Sequence, residues 1–298
     1  MTSIDFCAKN FGQARLVAKQ LSLPINRILG QAIRLSDTQY RAIQSQIALL
    51  DQGYPLDYLL GLVNFCGKDF VISSDVLIPR PATEYWVNEL ILELEGKKLE
   101  EKTYTLSPVN GLIEIGTGSG VIGLTLTPFF DKVILSDISI PALEIAKINT
   151  RNLYPDNFGK LDSHKIELIN SDLLQEISLP SSLTSWMLIA NLPYVPIADQ
   201  EKNHINKVGF EPAIALYSGD DGLDLIKKLI DQLTKSYGSN MPSQIWLELD
   251  PRNICNAKKY IQEQFQSIIL KQNKKWIYNI LTDEDDFARV LVIKQIAQ

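Results

Sequence analysis

Residues 188–196 read LIANLPYVP, an apolar run that closes on an amide, a ring-locked residue and a phenol. Gly, Asp or Ser more often closes such a run, so this ending reads as a site. Asn191 brings a carbonyl acceptor, Leu192 a backbone carbonyl that Pro193 helps hold in an extended segment, and Tyr194 a flat apolar face. Such a set grips a planar NH2 group by both of its protons. A second stretch, EIGTGSGVIG, places Gly116, Gly118 and Gly120 where a tight turn lets the backbone approach a ligand. The helix predicted after it offers unpaired N–H groups to a nucleotide-like molecule. Asp137 ends the next apolar run, where an acid accepts from both ribose hydroxyls, and Asp172 in INSDLL can accept from an adenine amino group.

These residues need a scaffold that brings the ends of several strands to one edge. From residue 111 onward, short β runs alternate with helical patterns: LIEI then VIGLTLTPFF, KVILS then PALEIAKINTRNL, KIELIN, WMLIA then DGLDLIKKLIDQL, QIWLEL then NICNAKKYIQEQF. That rhythm predicts βαβ units, a parallel sheet and helices on both faces. KWIYNIL and ARVLVIK have no helix between them and predict a closing antiparallel hairpin. Before the sheet, the first sixty or so residues read as helices. Tyr40, Ile43, Ile47 and Leu50 share one face, and Ser36 and Gln39 are spaced as a capping box. FCGKDFVISSDVLIPRP reads as a small hairpin or linker.

Composition narrows the class. The chain has 298 residues, 45% hydrophobic, enough for a sizeable core plus an appendage. Its net charge of -6 argues against coating nucleic acid through bulk positive potential. The charge is uneven: up to residue 60, six Lys and Arg outnumber four Asp, leaving that segment at +2 and the rest at -8, a hint of a partner surface. The opening MTSIDFCAKNF lacks the pattern of a signal peptide and no apolar run is long enough to span a membrane, so a cytoplasmic protein without membrane contact is expected. Cys7, Cys66 and Cys255 lie far apart with no C-x-x-C pair, and His164 and His204 sit in polar stretches, so no disulfide framework or metal site is expected.

An adenosine cofactor beside a cradle for a planar nitrogen suggests methyl transfer from S-adenosylmethionine. The glycine loop, Asp137, Asp172 and NLPY resemble class I methyltransferases of amino groups. GYPLDYLLGLVNFCGKDFVISSDVLIPRPATE (53–84) and EPAIALYSGDDGLDLIKKLI (211–230) resemble the signatures of the release factor glutamine N5-methyltransferases, a likeness that runs from about residue 25 through most of the chain. The resemblance implies an α/β fold: a Rossmann-like class I methyltransferase domain over 81–298, with a mostly parallel seven-stranded sheet and a terminal antiparallel hairpin. Before it would come a helical substrate-docking domain over 1–64 and a β-hairpin linker over 65–80.

The resemblance further implies methylation of the glutamine amide in the Gly-Gly-Gln loop of peptide chain release factors, by a monomer with no direct nucleic-acid contact and no metal. S-adenosylmethionine would lie on Glu114, Gly116, Thr117, Gly118, Ser119, Gly120, Asp137, Ile138, Asp172, Leu173 and Asn191. Arg80, Pro81, Asn191, Leu192, Pro193 and Tyr194 would bind the substrate, the last four as the catalytic set. The chain departs from the family at Leu192, where the usual tetrapeptide is Asn-Pro-Pro-Tyr, and at LELDPRN, which lacks the usual Gly and Gln. NLPY is more familiar from rRNA adenine dimethyltransferases. Three other readings therefore stay open: an adenine methyltransferase acting on RNA or DNA, a nicotinamide dehydrogenase suggested by the G-x-G-x-x-G spacing of Gly118, Gly120 and Gly123, and a cofactor-binding module without catalysis.

Overall fold

The computed structural model describes residues 3–97, 109–158, 165–181, 183–200, 207–237, 240–272 and 275–296. His164 and His204 lie outside the described residues. The N-terminal part builds its own small core. β1 (Ser3–Cys7) pairs antiparallel with β2 (Ala32–Ser36), beside α1 (Phe11–Leu21), α2 (Asp37–Asp51) and α3 (Leu56–Leu60). The capping box at the start of α2 is present: the Gln39 amide N–H donates to Ser36 Oγ at 3.3 Å, and the Ser36 N–H donates to Gln39 Oε1 at 3.0 Å. Leu16, Val17, Ile28, Leu35 and Ile43 close the core.

The expectation of helices alone over 1–64 is corrected here by β1 and β2. In β2, Leu35 is buried while Ala32 and Arg34 face solvent, a period of two too short to stand out beside the helical runs around it. The hairpin also starts earlier than expected. β3 (Leu62–Phe65) and β4 (Lys68–Val71) are joined by Cys66 and Gly67, both at positive φ (48° and 74°), the geometry of a tight two-residue turn. The expected boundary between 64 and 65 therefore falls inside β3. Phe65 and Phe70 anchor the hairpin edge to face in the larger core, their centroids 6.3 Å apart.

Seven strands make the central sheet: β5 (Gly111–Ile115), β6 (Lys132–Asp137), β7 (Ile166–Asn170), β8 (Trp186–Ala190), β9 (Gln244–Glu248), β10 (Lys275–Thr282) and β11 (Ala288–Ile296). Their order is β10-β11-β9-β8-β5-β6-β7, with β5 to β9 parallel and β11 antiparallel to both β9 and β10. This is the class I methyltransferase arrangement expected from the sequence. α4 (Pro81–Leu94) and α5 (Val121–Leu126) cover one face, α7 (Asp224–Ser236) and α8 (Ile254–Gln272) the other, and α6 (Ile140–Leu153) follows β6. Because both faces are covered, every residue of β5, β8 and β9 is buried, and these strands are mostly apolar, with Glu114, Gln244 and Glu248 as their buried polar residues.

The topology brings the carboxyl ends of β5, β6, β7, β8 and β9 to one edge. Strand order reverses between β5 and β8, the place where open α/β sheets bind ligands. Tyr58, Ile72, Val76 and Ala142 form a separate cluster joining the N-terminal part to this edge, and the Tyr58 hydroxyl donates to the Val76 carbonyl at 2.6 Å.

Candidate active site

The glycine loop follows β5 and needs its glycines. Gly116, Gly118 and Gly120 have φ of 70°, 55° and 83°, and a Cβ on Gly116 would come within 2.8 Å of Leu192 Cδ2. Glu114 braces the loop from inside: its Oε2 accepts from Thr117 Oγ1 at 2.6 Å and from the Gly123 N–H at 3.0 Å. Complete burial pushes the Glu114 carboxyl up to about 8. Asp137, at the end of β6, accepts from the Gly118 N–H at 2.8 Å and the Ser139 N–H at 2.9 Å, and burial raises its pKa as well. Each of its oxygens retains acceptor capacity. Asp172 pairs with Lys228 at 2.5 Å, which fixes it beside the cavity.

Asn191, Leu192 and Pro193 reach this same cavity from the end of β8. Leu192 is buried against Gly116, so the tetrapeptide and the glycine loop pack directly on each other. The chain after them is held by the 211–230 stretch. The Val195 N–H donates to the Leu216 carbonyl at 2.9 Å, Ser218 N–H to Val195 at 3.0 Å and Ile197 N–H to Gly219 at 2.9 Å. Gly222, at φ 78°, lies against the Tyr194 carbonyl so closely that a Cβ would collide with it. Ile214, Ala215 and Leu225 from the same stretch line the cavity. Buried Glu211 accepts from the Ile78 N–H at 3.1 Å and from the Arg80 guanidinium, tying the IPRP segment to the site.

Thirteen of the residues expected from the sequence therefore line one cavity: Arg80, Glu114, Gly116, Thr117, Gly118, Ser119, Asp137, Ile138, Asp172, Leu173, Asn191, Leu192 and Pro193. Pro81, Gly120 and Tyr194 do not. Pro81 is the first residue of α4, Gly120 is the N-cap of α5, and the Tyr194 hydroxyl is turned to Glu248 Oε1 at 3.4 Å. Burial and the neighbouring Glu248 raise the Tyr194 pKa further. Sequence reasoning missed two residues. Glu248, a buried carboxylate at the end of β9, accepts from Trp86 Nε1 at 2.7 Å and Thr83 Oγ1 at 2.8 Å, and Thr83 in turn lies 3.4 Å from Asn191 Nδ2. The available signal was an acid closing the apolar run QIWLE, a position that needs partners if buried.

No family model matches the chain. Among curated proteins, the release factor glutamine methyltransferase of Rhodopirellula baltica is 31% identical over 230 residues, covering 76% of this chain and 72% of that one. This chain belongs to the release factor glutamine methyltransferase family. A second family member, from Mycoplasma mycoides, is 28% identical over 88% of this chain and 83% of its own length. One from Koribacter versatilis reaches 35% identity over 63% of this chain, a match that spans 60% of the relative. The solved ribosomal protein L11 methylase of Lactobacillus delbrueckii subsp. bulgaricus aligns at TM-score 0.44 and 15% identity, over 74% of this chain and 82% of that one. Like its family, the chain is a methyltransferase that uses S-adenosylmethionine. Among the described residues, no helix is long and apolar enough to cross a membrane.

Proposed function

We propose that this chain methylates the side-chain amide nitrogen, N5, of the glutamine in the Gly-Gly-Gln loop of a peptide chain release factor, in the cytoplasm where translation ends. The observation that carries the reading is the junction of two sites: Asn191 and Leu192 line the cavity that also holds the glycine loop and Asp137, with Leu192 packed on Gly116. The cavity suits the cofactor, since a Cβ at Gly118 would project into open space that the glycine leaves free for a ligand, and a carboxylate stands at the neighbouring strand end. When bound, S-adenosylmethionine supplies an electrophilic methyl group on a sulfonium. The protein's part is positional. A carboxamide nitrogen is a poor nucleophile because its lone pair is delocalised. The Asn191 side-chain carbonyl and the Leu192 backbone carbonyl accept hydrogen bonds from its two N–H groups and fix its direction, and both contacts strengthen as positive charge builds on nitrogen. The proton then leaves to water. Tyr194, braced by Glu248, closes the segment behind them. The -6 net charge favours a protein substrate over RNA or DNA. Incubation with radiolabelled S-adenosylmethionine and, separately, a release factor and total RNA tests this: label on the release-factor glutamine is expected, and label only on RNA would replace the proposal with adenine methylation.

Two consequences concern the cofactor. Asp137→Ala is expected to weaken S-adenosylmethionine binding by about 1–3 kcal/mol, the scale of a charge-assisted hydrogen-bonded pair. Titration calorimetry measures it, and an unchanged dissociation constant would reduce Asp137 to a brace for Gly118 and Ser139. Glu114 makes binding depend on pH. Its folded pKa is raised to about 8, so at neutral pH it is protonated in the free enzyme. A sulfonium in the shared cavity favours the ionised carboxylate, so binding releases protons, and affinity rises with pH until it flattens above about 8. Calorimetry at pH 7 in two buffers of different ionisation enthalpy should show more proton release for the wild type than for Glu114→Gln. Equal release by the two proteins would remove Glu114 from this linkage.

A further inference from the structure

Thr83, which lines the cavity, and Glu248, which braces Tyr194, were not among the residues expected from the sequence, yet both are buried against the catalytic segment, at 2% and 1% exposure. The asparagine amide poses a problem of polarity. Its oxygen and NH2 group are nearly the same size, so only the neighbours decide which one faces the substrate. The cradle works only if the oxygen does.

We propose that Thr83, oriented by Glu248 and Trp86, sets the polarity of the Asn191 amide and is thus a positioning residue for the acceptor glutamine. This rests on the reading of Asn191 as an acceptor for the substrate amide. The indole Nε1 of Trp86 can only donate, and it lies 2.7 Å from Glu248 Oε2, so that oxygen must accept. Thr83 Oγ1 lies 2.8 Å from the same oxygen and has one proton, which is committed there. Only lone pairs remain on Thr83 to face Asn191, 3.4 Å away, so the asparagine must turn its NH2 group to Thr83 and its oxygen elsewhere. A reversed amide would set two acceptors against each other. The arrangement does not depend on the charge of Glu248: a proton carried on Oε1 leaves Oε2 an acceptor for Trp86 and Thr83. The relay joins three elements, α4, the end of β8 and the end of β9, and so ties the IPRPATE segment to the acceptor site.

The test is single-turnover methylation of a release factor by the full-length enzyme, with S-adenosylmethionine affinity measured in parallel. Thr83→Val keeps the shape of the side chain and removes the acceptor. It is expected to slow methyl transfer by about 10-fold or more, less than loss of a direct transition-state contact, with cofactor affinity kept within a few-fold although Thr83 lines the shared cavity. Thr83→Ser restores the hydroxyl and should recover most of that rate. Glu248→Gln should be much milder than Thr83→Val, because Trp86 holds the new amide with its oxygen toward Thr83. A second readout follows polarity alone. The wild type presents two acceptors and should reject, as a competitor, a release factor with glutamate in place of the loop glutamine; Thr83→Val frees Asn191 to turn and should narrow that preference several-fold. Wild-type rate and preference in Thr83→Val would overturn the proposal, and so would a slower rate with unchanged preference, since the hydroxyl would then serve packing only. Asn191→Ala separates the two readings. If it abolishes transfer while Thr83→Val stays fully active, only the relay falls; if Asn191→Ala is also fully active, the cradle itself is misassigned.

Discussion

Asn191→Ala is expected to lower the methyl-transfer rate on a release factor by about 100-fold or more, the scale on which one preorganised electrostatic contact acts in a transition state. Cofactor affinity should change far less, although Asn191 lines the shared cavity, because the glycine loop and Asp137 present most of the polar groups on that side. Truncation at this position leaves the neighbours intact. Thr83 keeps its bond to Glu248, Leu192 stays packed on Gly116, and the segment after Tyr194 remains bonded to residues 216–219. A slow variant would therefore have lost one carbonyl and not a folded site. Rapid-quench single-turnover measurement with saturating cofactor reads the chemical step directly; a near-normal rate would show that the substrate amide is held by something other than Asn191. Leu192→Pro is the natural companion, since it keeps the backbone carbonyl and restores the tetrapeptide usual in the family. It gives up the leucine packing on Gly116, so some loss of stability is expected while transfer to the glutamine survives.

Removal of the N-terminal segment is the second large effect. Deletion of residues 1–52 is expected to leave S-adenosylmethionine binding within a few-fold of normal and to abolish methylation of the intact release factor. The division follows from packing: Leu16, Val17, Ile28, Leu35 and Ile43 bury one another, among the described residues β1 pairs only with β2, and of the retained chain α3, through Leu56, Leu59 and Leu60, joins that core. The cut is placed before Tyr54 for a physical reason. Tyr54 stacks edge-on with Phe210 at 5.2 Å, and Tyr58 is buried with Ile72, Val76 and Ala142 beside the cavity, so removing them would damage the cavity as well as the N-terminal segment. The basic character of this segment, with Arg15, Arg27, Arg34 and Arg41, suits an acidic face on the partner. Calorimetry establishes whether the truncated enzyme folds and binds cofactor. If it does so and still methylates the intact factor at the normal rate, the segment is not the docking element.

Whatever local chemistry can state is legible in the residues themselves. Three glycines within five residues require a backbone that side-chain-bearing residues rarely adopt, and the positive φ at Gly116, Gly118 and Gly120 agrees with that reading. The alternation of β runs and helical patterns specifies a parallel sheet, and a parallel sheet places its strand ends on one edge, so Asp137, Asp172 and Asn191 were legible as neighbours before any coordinates. The Ser36–Gln39 capping box was legible for the same reason, since all of its partners lie within one turn. Tertiary structure decided everything that depends on pairs distant in the chain. Glu248 meets Thr83 across 165 positions, Thr83 meets Asn191 across 108, and Arg80 meets Glu211 across 131. No periodicity marks such pairs, because each partner alone has the pattern of a strand end, a helix start or a turn. The β1–β2 pairing was hidden likewise, since a five-residue strand is stabilised by a partner far along the chain and by the core beneath it, and neither is written in its own residues.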